Sequence, residues 1–257
     1  MIRSHVGDGV KIALHQTGEI SYRAGRILLG DRRVDQLGLI DQTPSDIHGG
    51  KVVQADSLAE YDVVATDATE PQSLIRRGLA SGASCAVWAQ SDPDEIEPDG
   101  RTVLIGANLA TGIAPCLAYH EVAMHGKGNP SIIAWTEPGN SLRSGEPLAF
   151  PDPIGGRWGK RFRQRDSSRF VAPLPGEWAG ALAQVTISDG KTSHKRIIGV
   201  ADLASHLEAL ALAAGALAIG MGKFTEGKSR PVDSAEAYLK ELLNSGLDVA
   251  ASTIQNG

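Results

Sequence analysis

Tyr61-Asp62-Val63-Val64-Ala65-Thr66-Asp67-Ala68-Thr69-Glu70-Pro71 is the stretch that decides the fold of this chain. It reads as a short apolar strand that breaks at once into a polar turn, followed by a proline that opens a helix. Proline suits a first helical turn because the N–H it lacks has no intrahelical partner there. A strand that stops at Asp-Ala-Thr leaves backbone N–H groups free at its carboxyl end, just before the next helix. In parallel α/β sheets that edge is where nucleotides and substrates bind.

Working outward, short apolar runs alternate with helical segments from residue 10 to residue 108. Strands are expected at 10–14, 37–40, 51–54, 62–66, 84–88 and 102–105. Helices are expected at 21–29 and 71–80, with a brief helical or turn segment at 57–60 and Gly82 as a stop signal. This alternation indicates βαβ units and a parallel sheet. A further helix is expected at 111–124, with Thr111 as its N-cap and Pro115 in its first turn. After Gly126-Lys127-Gly128-Asn129-Pro130 the character changes. Strands are expected at 131–136, 169–171 and 181–188, the last turning at Asp189-Gly190 toward 196–200. Helices follow at 200–219 and 233–244, where Asp233 and Glu236 form a capping-box pair and Gly246 ends the segment. The expected fold class is α/β. A Rossmann-like parallel-sheet domain spans residues 1–115, and a smaller α+β domain for substrate and oligomer contacts spans residues 116–257 and includes the C-terminal helices.

The 257 residues are ample for a large core, and 42% hydrophobic with 21% charged residues is ordinary for a soluble globular chain. A net charge of -5 gives no global pull toward nucleic acid or membrane. Cys85 and Cys116 are far apart in apolar surroundings, which fits packing thiols in a reducing cytoplasm. Arg3, His5, Asp8 and Lys11 precede any apolar run, so no secretory leader is expected. The apolar stretch 207–221 contains Glu208 and Gly215 and falls short of the roughly 20 residues of a membrane span. A buried helix in a cytoplasmic protein is the expectation.

The first expected strand runs into His15-Gln16-Thr17-Gly18-Glu19-Ile20-Ser21-Tyr22-Arg23-Ala24-Gly25-Arg26. A dinucleotide turn uses three glycines, one to turn tightly, one for pyrophosphate approach and one for helix packing. Gly25 can serve the packing role and Gly18 the turn, but the middle position holds Ile20, Ser21 or Tyr22. Two readings stand open. Thr17, Gly18 and the N–H groups of the helix start form a phosphate site, or the segment is a βα turn that binds nothing. Whether Tyr22 projects into the space of a pyrophosphate discriminates between them. Asp41 lies 23 residues after Gly18, where an acidic group accepts bonds from both ribose hydroxyls and repels a 2′-phosphate. Asp is also a frequent turn residue. In the ribose role it favours NAD over NADP, a preference that Arg32 and Arg33 weaken.

The segment from Asp62 to Pro71 resembles the strand-turn motif of the dihydrodipicolinate reductases, where an Asp-Phe-Thr-x-Pro run follows the fourth strand. Asp67, Thr69 and Pro71 match, and Ala68 replaces the aromatic. Gly82 and Ala83-Ser84-Cys85-Ala86-Val87-Trp88-Ala89 stand where that family has a glycine, a strand and a cofactor-facing turn. Gly106-Ala107-Asn108-Leu109-Ala110-Thr111-Gly112-Ile113 is similar to its Ala-x-Asn-x-Ser-x-Gly junction, with Asn108 and Gly112 at the same spacing. The resemblance covers roughly residues 10–125. It implies that Ala65, Asp67, Ala68, Thr69 and Ala89 border a nicotinamide cofactor and that Asn108 sits between cofactor and substrate. Helix capping before Pro71 is the alternative for Asp67 and Thr69, and a positive-φ turn is the alternative for Asn108.

The second half departs from that family. Its paired-histidine and lysine segment and its Asp-Ala-Pro-Ser-Gly-Thr loop have no counterpart here, which sets the substrate apart. Arg143-Ser144-Gly145 either binds a carboxylate or phosphate through a guanidinium fork or forms a hairpin turn. His120 and His125, five residues apart, are poorly spaced for a metal, and no metal is expected. His125 or Lys127 donates a proton near the cleft, or compensates a helix C-terminus. The basic run from Arg157 to Arg169, interrupted by Trp158 and Phe162, reads as a lid over an anion or as a solvated face, in preference to a nucleic-acid surface. The expected function is an NAD(P)-dependent oxidoreductase passing hydride to or from a small polar metabolite in an interdomain cleft. A homo-oligomer, dimer or tetramer, is implied by the resemblance. The alternative is a non-catalytic Rossmann-like ligand-binding or assembly protein that has lost dinucleotide binding.

Overall fold

A computed structural model describes residues 9–40, 47–89, 96–125, 130–136, 147–148, 162–163, 178–188 and 193–256. In chain order these form β1 (Val10–His15), α1 (Glu19–Gly30), β2 (Val34–Ile40), β3 (Val52–Gln54), β4 (Val63–Thr66), α2 (Gln72–Ala80), β5 (Ser84–Val87), β6 (Thr102–Ile105) and α3 (Ala114–His125). There follow β7 (Pro130–Thr136), β8 (Pro147–Leu148), β9 (Phe162–Arg163), β10 (Trp178–Ser188), β11 (Ser193–Leu203), α4 (Ala204–Gly220), β12 (Gly227–Ser229), α5 (Ala235–Asn244) and β13 (Ala250–Asn256).

Seven strands make one parallel sheet in the order β12-β6-β5-β4-β1-β2-β3, which is a Rossmann-like arrangement. Strand periodicity explains its two cores. Ile12, Leu14, Val63, Ala65, Ala86 and Leu104 gather with Leu28 of α1 and Leu210 of α4. Their neighbours Ala13, Val64, Cys85, Val87, Val103 and Ile105 gather with Leu74 and Ile75 of α2. Because both faces are covered, β4 and β6 are buried at every position, as parallel strands usually are. The second sheet is antiparallel, in the order β13-β11-β10-β7.

Some expectations need correction. Residues 200–203 extend β11, so the helix expected at 200–219 begins at Ala204. The cap expected of Thr111 belongs to Asn108, whose Oδ1 accepts the Thr111 N–H at 2.9 Å and leads into a π-helical turn, Leu109–Ile113. Asp233 pairs backward: its Oδ2 accepts the Arg230 N–H at 2.7 Å, and Ser234 precedes α5. Two polar or mixed strands, the three-residue β12 and the seven-residue β13, carried no alternation strong enough to predict. β12 returns to the large sheet as the edge neighbour of β6. The strand expected at 169–171 and the Asp189-Gly190 turn lie outside the described residues, although Ser188 and Ser193 pair across that hairpin.

Candidate functional site

Strand order reverses between β1 and β4, and the crevice outside their carboxyl ends is the position at which open α/β sheets bind ligands. The register pairs His15 with Thr66, so the turns after the two strands lie side by side. His15 Nδ1 is 3.2 Å from Thr66 Oγ1, which also accepts the Ala68 N–H at 3.1 Å. This fixes the start of the Asp67-Ala68-Thr69 turn.

Asp67 crosses the crevice. Its Oδ1 accepts the Thr17 hydroxyl at 2.5 Å and the Thr17 N–H at 3.4 Å, and its Oδ2 accepts the Ser21 N–H at 3.0 Å. Ser21 is fully buried at the third position of α1, and its hydroxyl fills the rest of the turn. It accepts N–H bonds from Thr17 and Gly18 at 3.0 and 3.2 Å and donates to Gly18 O at 3.1 Å. The first turns of helices leave N–H groups without intrahelical partners, and their positive end favours an anion. In this chain the anion is the Asp67 carboxylate, only 8% exposed, while Thr17 and Gly18 are on the surface. Thr17, Gly18 and Asp67 are thus brought together by bonds to and around one another. The Tyr22 ring lies by Arg26, one turn farther along α1, with the guanidinium carbon 6.0 Å from the ring centre.

Gly25 sits where α1 crosses the sheet: a Cβ there would come within 2.6 Å of Ile47 Cδ1 and 3.1 Å of Leu14 Cδ2. Ala65 is fully buried, Ala89 nearly so, Ala68 partly so, and Thr69 is exposed. Asn108 has no exposed surface. Its Nδ2 donates to Trp88 O at 2.8 Å and its Oδ1 accepts from the Thr111 N–H and hydroxyl. The side chain is therefore engaged within the chain, joining the turn after β5 to the turn after β6. Its φ of -143° is extended, and the positive φ considered for it falls at Gly106, at 77°.

Arg32 and Arg33 precede β2, and Arg33 is held by Asp31 and Glu241 at 2.7 and 2.8 Å. That bond to Arg33 holds the Asp31 carboxyl below its ordinary range. His125 lies 3.4 Å from the buried Glu121 of its own helix, which Arg196 also approaches at 3.2 Å. Asp41, Arg143, Lys127 and most of the basic run 157–169 lie outside the described residues.

Sequence reasoning missed Glu208. This fully buried residue of α4 accepts the Trp88 Nε1–H at 2.8 Å and the Leu109 N–H at 3.0 Å through Oε2. Its Oε1 has no hydrogen-bond partner. Burial pushes the carboxyl up to about 7, against the smaller opposing effect of those two bonds. The signal was present, since a lone glutamate in the apolar run 207–221 needs internal donors.

A dinucleotide fits this edge only in part. Gly25 gives the close packing of helix on strand, and Ala65, Ala68 and Ala89 are small. The N–H groups that a pyrophosphate would use at Thr17 and Ser21 are already taken by Asp67. As folded, the Thr17 and Ser21 N–H groups are not open to a pyrophosphate.

No protein-family model and no curated protein matches the chain. Solved structures do. C. glutamicum DAP dehydrogenase in complex with DAP aligns with a TM-score of 0.58 at 11% identity, over 92% of this chain and 98% of that one. An engineered D-amino acid dehydrogenase bound to NADP+ gives 0.57 at 11%, over 90% and 96%. A mutant meso-DAP dehydrogenase of Clostridium tetani E88 with DAP gives 0.56 at 12%, also over 90% and 96%. At such identities the likeness concerns the fold, and it reaches well beyond residues 10–125.

Proposed function

We propose that this chain is an NAD(P)-dependent oxidoreductase acting on a small polar metabolite. The observation that carries the reading is the strand order β3-β2-β1-β4-β5-β6 with an antiparallel sheet formed by the later half, an architecture shared with dehydrogenases across about nine-tenths of the chain. The nucleotide would lie along the carboxyl edge beside Ala65, Ala68, Thr69 and Ala89, with residues 1–115 as the nucleotide-binding part. Residues 116–257 would supply substrate and oligomer contacts, Arg143 among them. The cofactor carries the hydride chemistry, and the chain's part is to bind, orient and exclude water. The buried, internally bonded Asn108 would serve as a support for the turns after β5 and β6. A dimer or tetramer belongs to this reading.

A second reading is favoured by one observation, the Asp67 carboxylate in the first turn. Under it the chain is a Rossmann-like binding or assembly protein without a dinucleotide. Thermal denaturation with millimolar NADH or NADPH separates the two, since a ligand that binds only the folded state raises the melting temperature. A rise with either nucleotide is expected; no rise with both would leave the second reading standing.

A further inference from the structure

Three donors converge on Asp67: the Thr17 N–H, the Thr17 hydroxyl and the Ser21 N–H. They belong to the turn at which a dinucleotide's pyrophosphate is held in folds of this kind. The carboxylate arrives from the neighbouring strand, and the turn that delivers it is itself fixed by Thr66 Oγ1 through His15 and the Ala68 N–H. Being part of the same chain, it competes at a high effective concentration against any free anion.

We propose that Asp67 is a built-in competitor for phosphate at the switch point and thereby the residue that sets this chain's affinity for a dinucleotide, an inference that rests on the NAD(P) reading above. A pyrophosphate entering the turn must break the three bonds to Asp67. It must also approach a carboxylate of like charge in a partly buried place, where screening is weak. Binding therefore requires Asp67 to withdraw, and the intrinsic affinity is reduced by the fraction of time it remains in place. The adenosine and nicotinamide portions carry no such conflict. The discrimination falls on the phosphates alone, so adenosine should be indifferent to residue 67.

The test compares the wild type with Asp67→Asn, which places an amide donor where one carboxylate oxygen met the Ser21 or Thr17 donors, and with Asp67→Ala. Melting temperature is followed with inorganic pyrophosphate and with adenosine, and Kd is measured for NADH and NADPH by calorimetry. Pyrophosphate should stabilise both variants and leave the wild type unmoved. Both nucleotides should bind the variants about tenfold or more tightly than the wild type, the scale of one removed charge repulsion. Should both variants fail to fold, Thr17→Val, which removes only the hydroxyl donor, should tighten nucleotide binding by about threefold. Unchanged nucleotide affinity in the folded variants, or equal stabilisation of the wild type by pyrophosphate, overturns the role of Asp67. If the wild type binds NADH and the variants bind it no better, that role falls while the oxidoreductase reading survives. If only the variants respond to pyrophosphate and nucleotide, Asp67 is confirmed and the wild-type oxidoreductase reading falls. If no protein responds to any phosphate ligand, both fall.

Discussion

Two carboxyl groups, Asp67 and Glu208, reach across the same edge of the sheet, and they are solvated in opposite ways. Asp67 leaves the end of β4 and spends both oxygens on donors of the α1 turn, beside the exposed Thr17 and Gly18. Glu208 comes from α4 and meets the turns after β5 and β6 through Oε2, while Oε1 faces the core without a partner. The first is an anion supplied to a helix end that favours one. The second is a carboxyl cut off from water, whose charged form burial disfavours. The difference teaches where polar groups serve the fold and where they burden it. Donors per oxygen decide the outcome, because burial without donors penalises the charged form.

The largest expected effect comes from breaking the comparison at Glu208. Its folded value is raised to about 7 from an ordinary 4.5, chiefly by burial. The folded state therefore holds this proton more tightly than the unfolded chain. The associated stability is fully present below pH 4.5 and is lost as pH rises to about 7, on the order of 3 kcal/mol in all. Glu208→Gln carries no charge at any pH and should lack this slope. Urea denaturation at pH 5 and pH 8 checks it: relative to the wild type, the variant should gain about that amount on going to pH 8. Parallel wild-type and variant profiles would show that folding leaves the Glu208 carboxyl's proton affinity unchanged, and would overturn the raised value. Tyr238 and Cys116 occupy the same core, and burial holds both proton-bound well above this range, so neither contributes to the slope.

A second effect tests whether the Asp67 turn depends on packing beneath it. The Gly25 Cα faces Ile47 and Leu14 so closely that a Cβ would require Ile47 to move. Gly25→Val adds two further methyl groups toward Leu14 and Leu37, and should destabilise by about 2 kcal/mol, read as a lowered urea midpoint at unchanged slope. No loss would mean that the Ile47 end of this contact yields freely.

The large sheet was legible because its signal is local. Apolar runs such as 63–66 and 102–105 carry it, with proline and glycine punctuation between them. Gly25 was legible as a packing residue because helix-on-strand contact has a fixed place after the first turn. The Asp67 bridge was not, since it joins residues 46 and 50 positions apart, and sequence spacing does not state which turns the sheet sets side by side. Asp67 was singled out as a binding residue, and its own partners proved to be Thr17 and Ser21. Glu208 escaped for the same reason, as Trp88 is 120 positions away. Asn108 was singled out for a place between cofactor and substrate, and the cap it forms with Thr111 was not foreseen, because a cap and a substrate ligand use the same amide.

The smallest expected effect sharpens the contrast from the side of Gly18. A glycine at this point of a dinucleotide fold suggests a backbone that must be bare for a phosphate to approach. Here its φ of -174° is extended backbone, and a Cβ would meet nothing within 4 Å. Two terms then oppose each other. Alanine restricts the unfolded chain, which stabilises by about 0.4–1 kcal/mol, and it is a poorer N-cap than glycine by a similar amount. Gly18→Ala should therefore stay within about 0.5 kcal/mol of the wild type by urea denaturation. The turn is held by Ser21 and Asp67, and neither needs a bare backbone at Gly18. A weakening of nucleotide binding in this variant at unchanged stability would instead mark Gly18 as the point of closest phosphate approach once Asp67 has withdrawn.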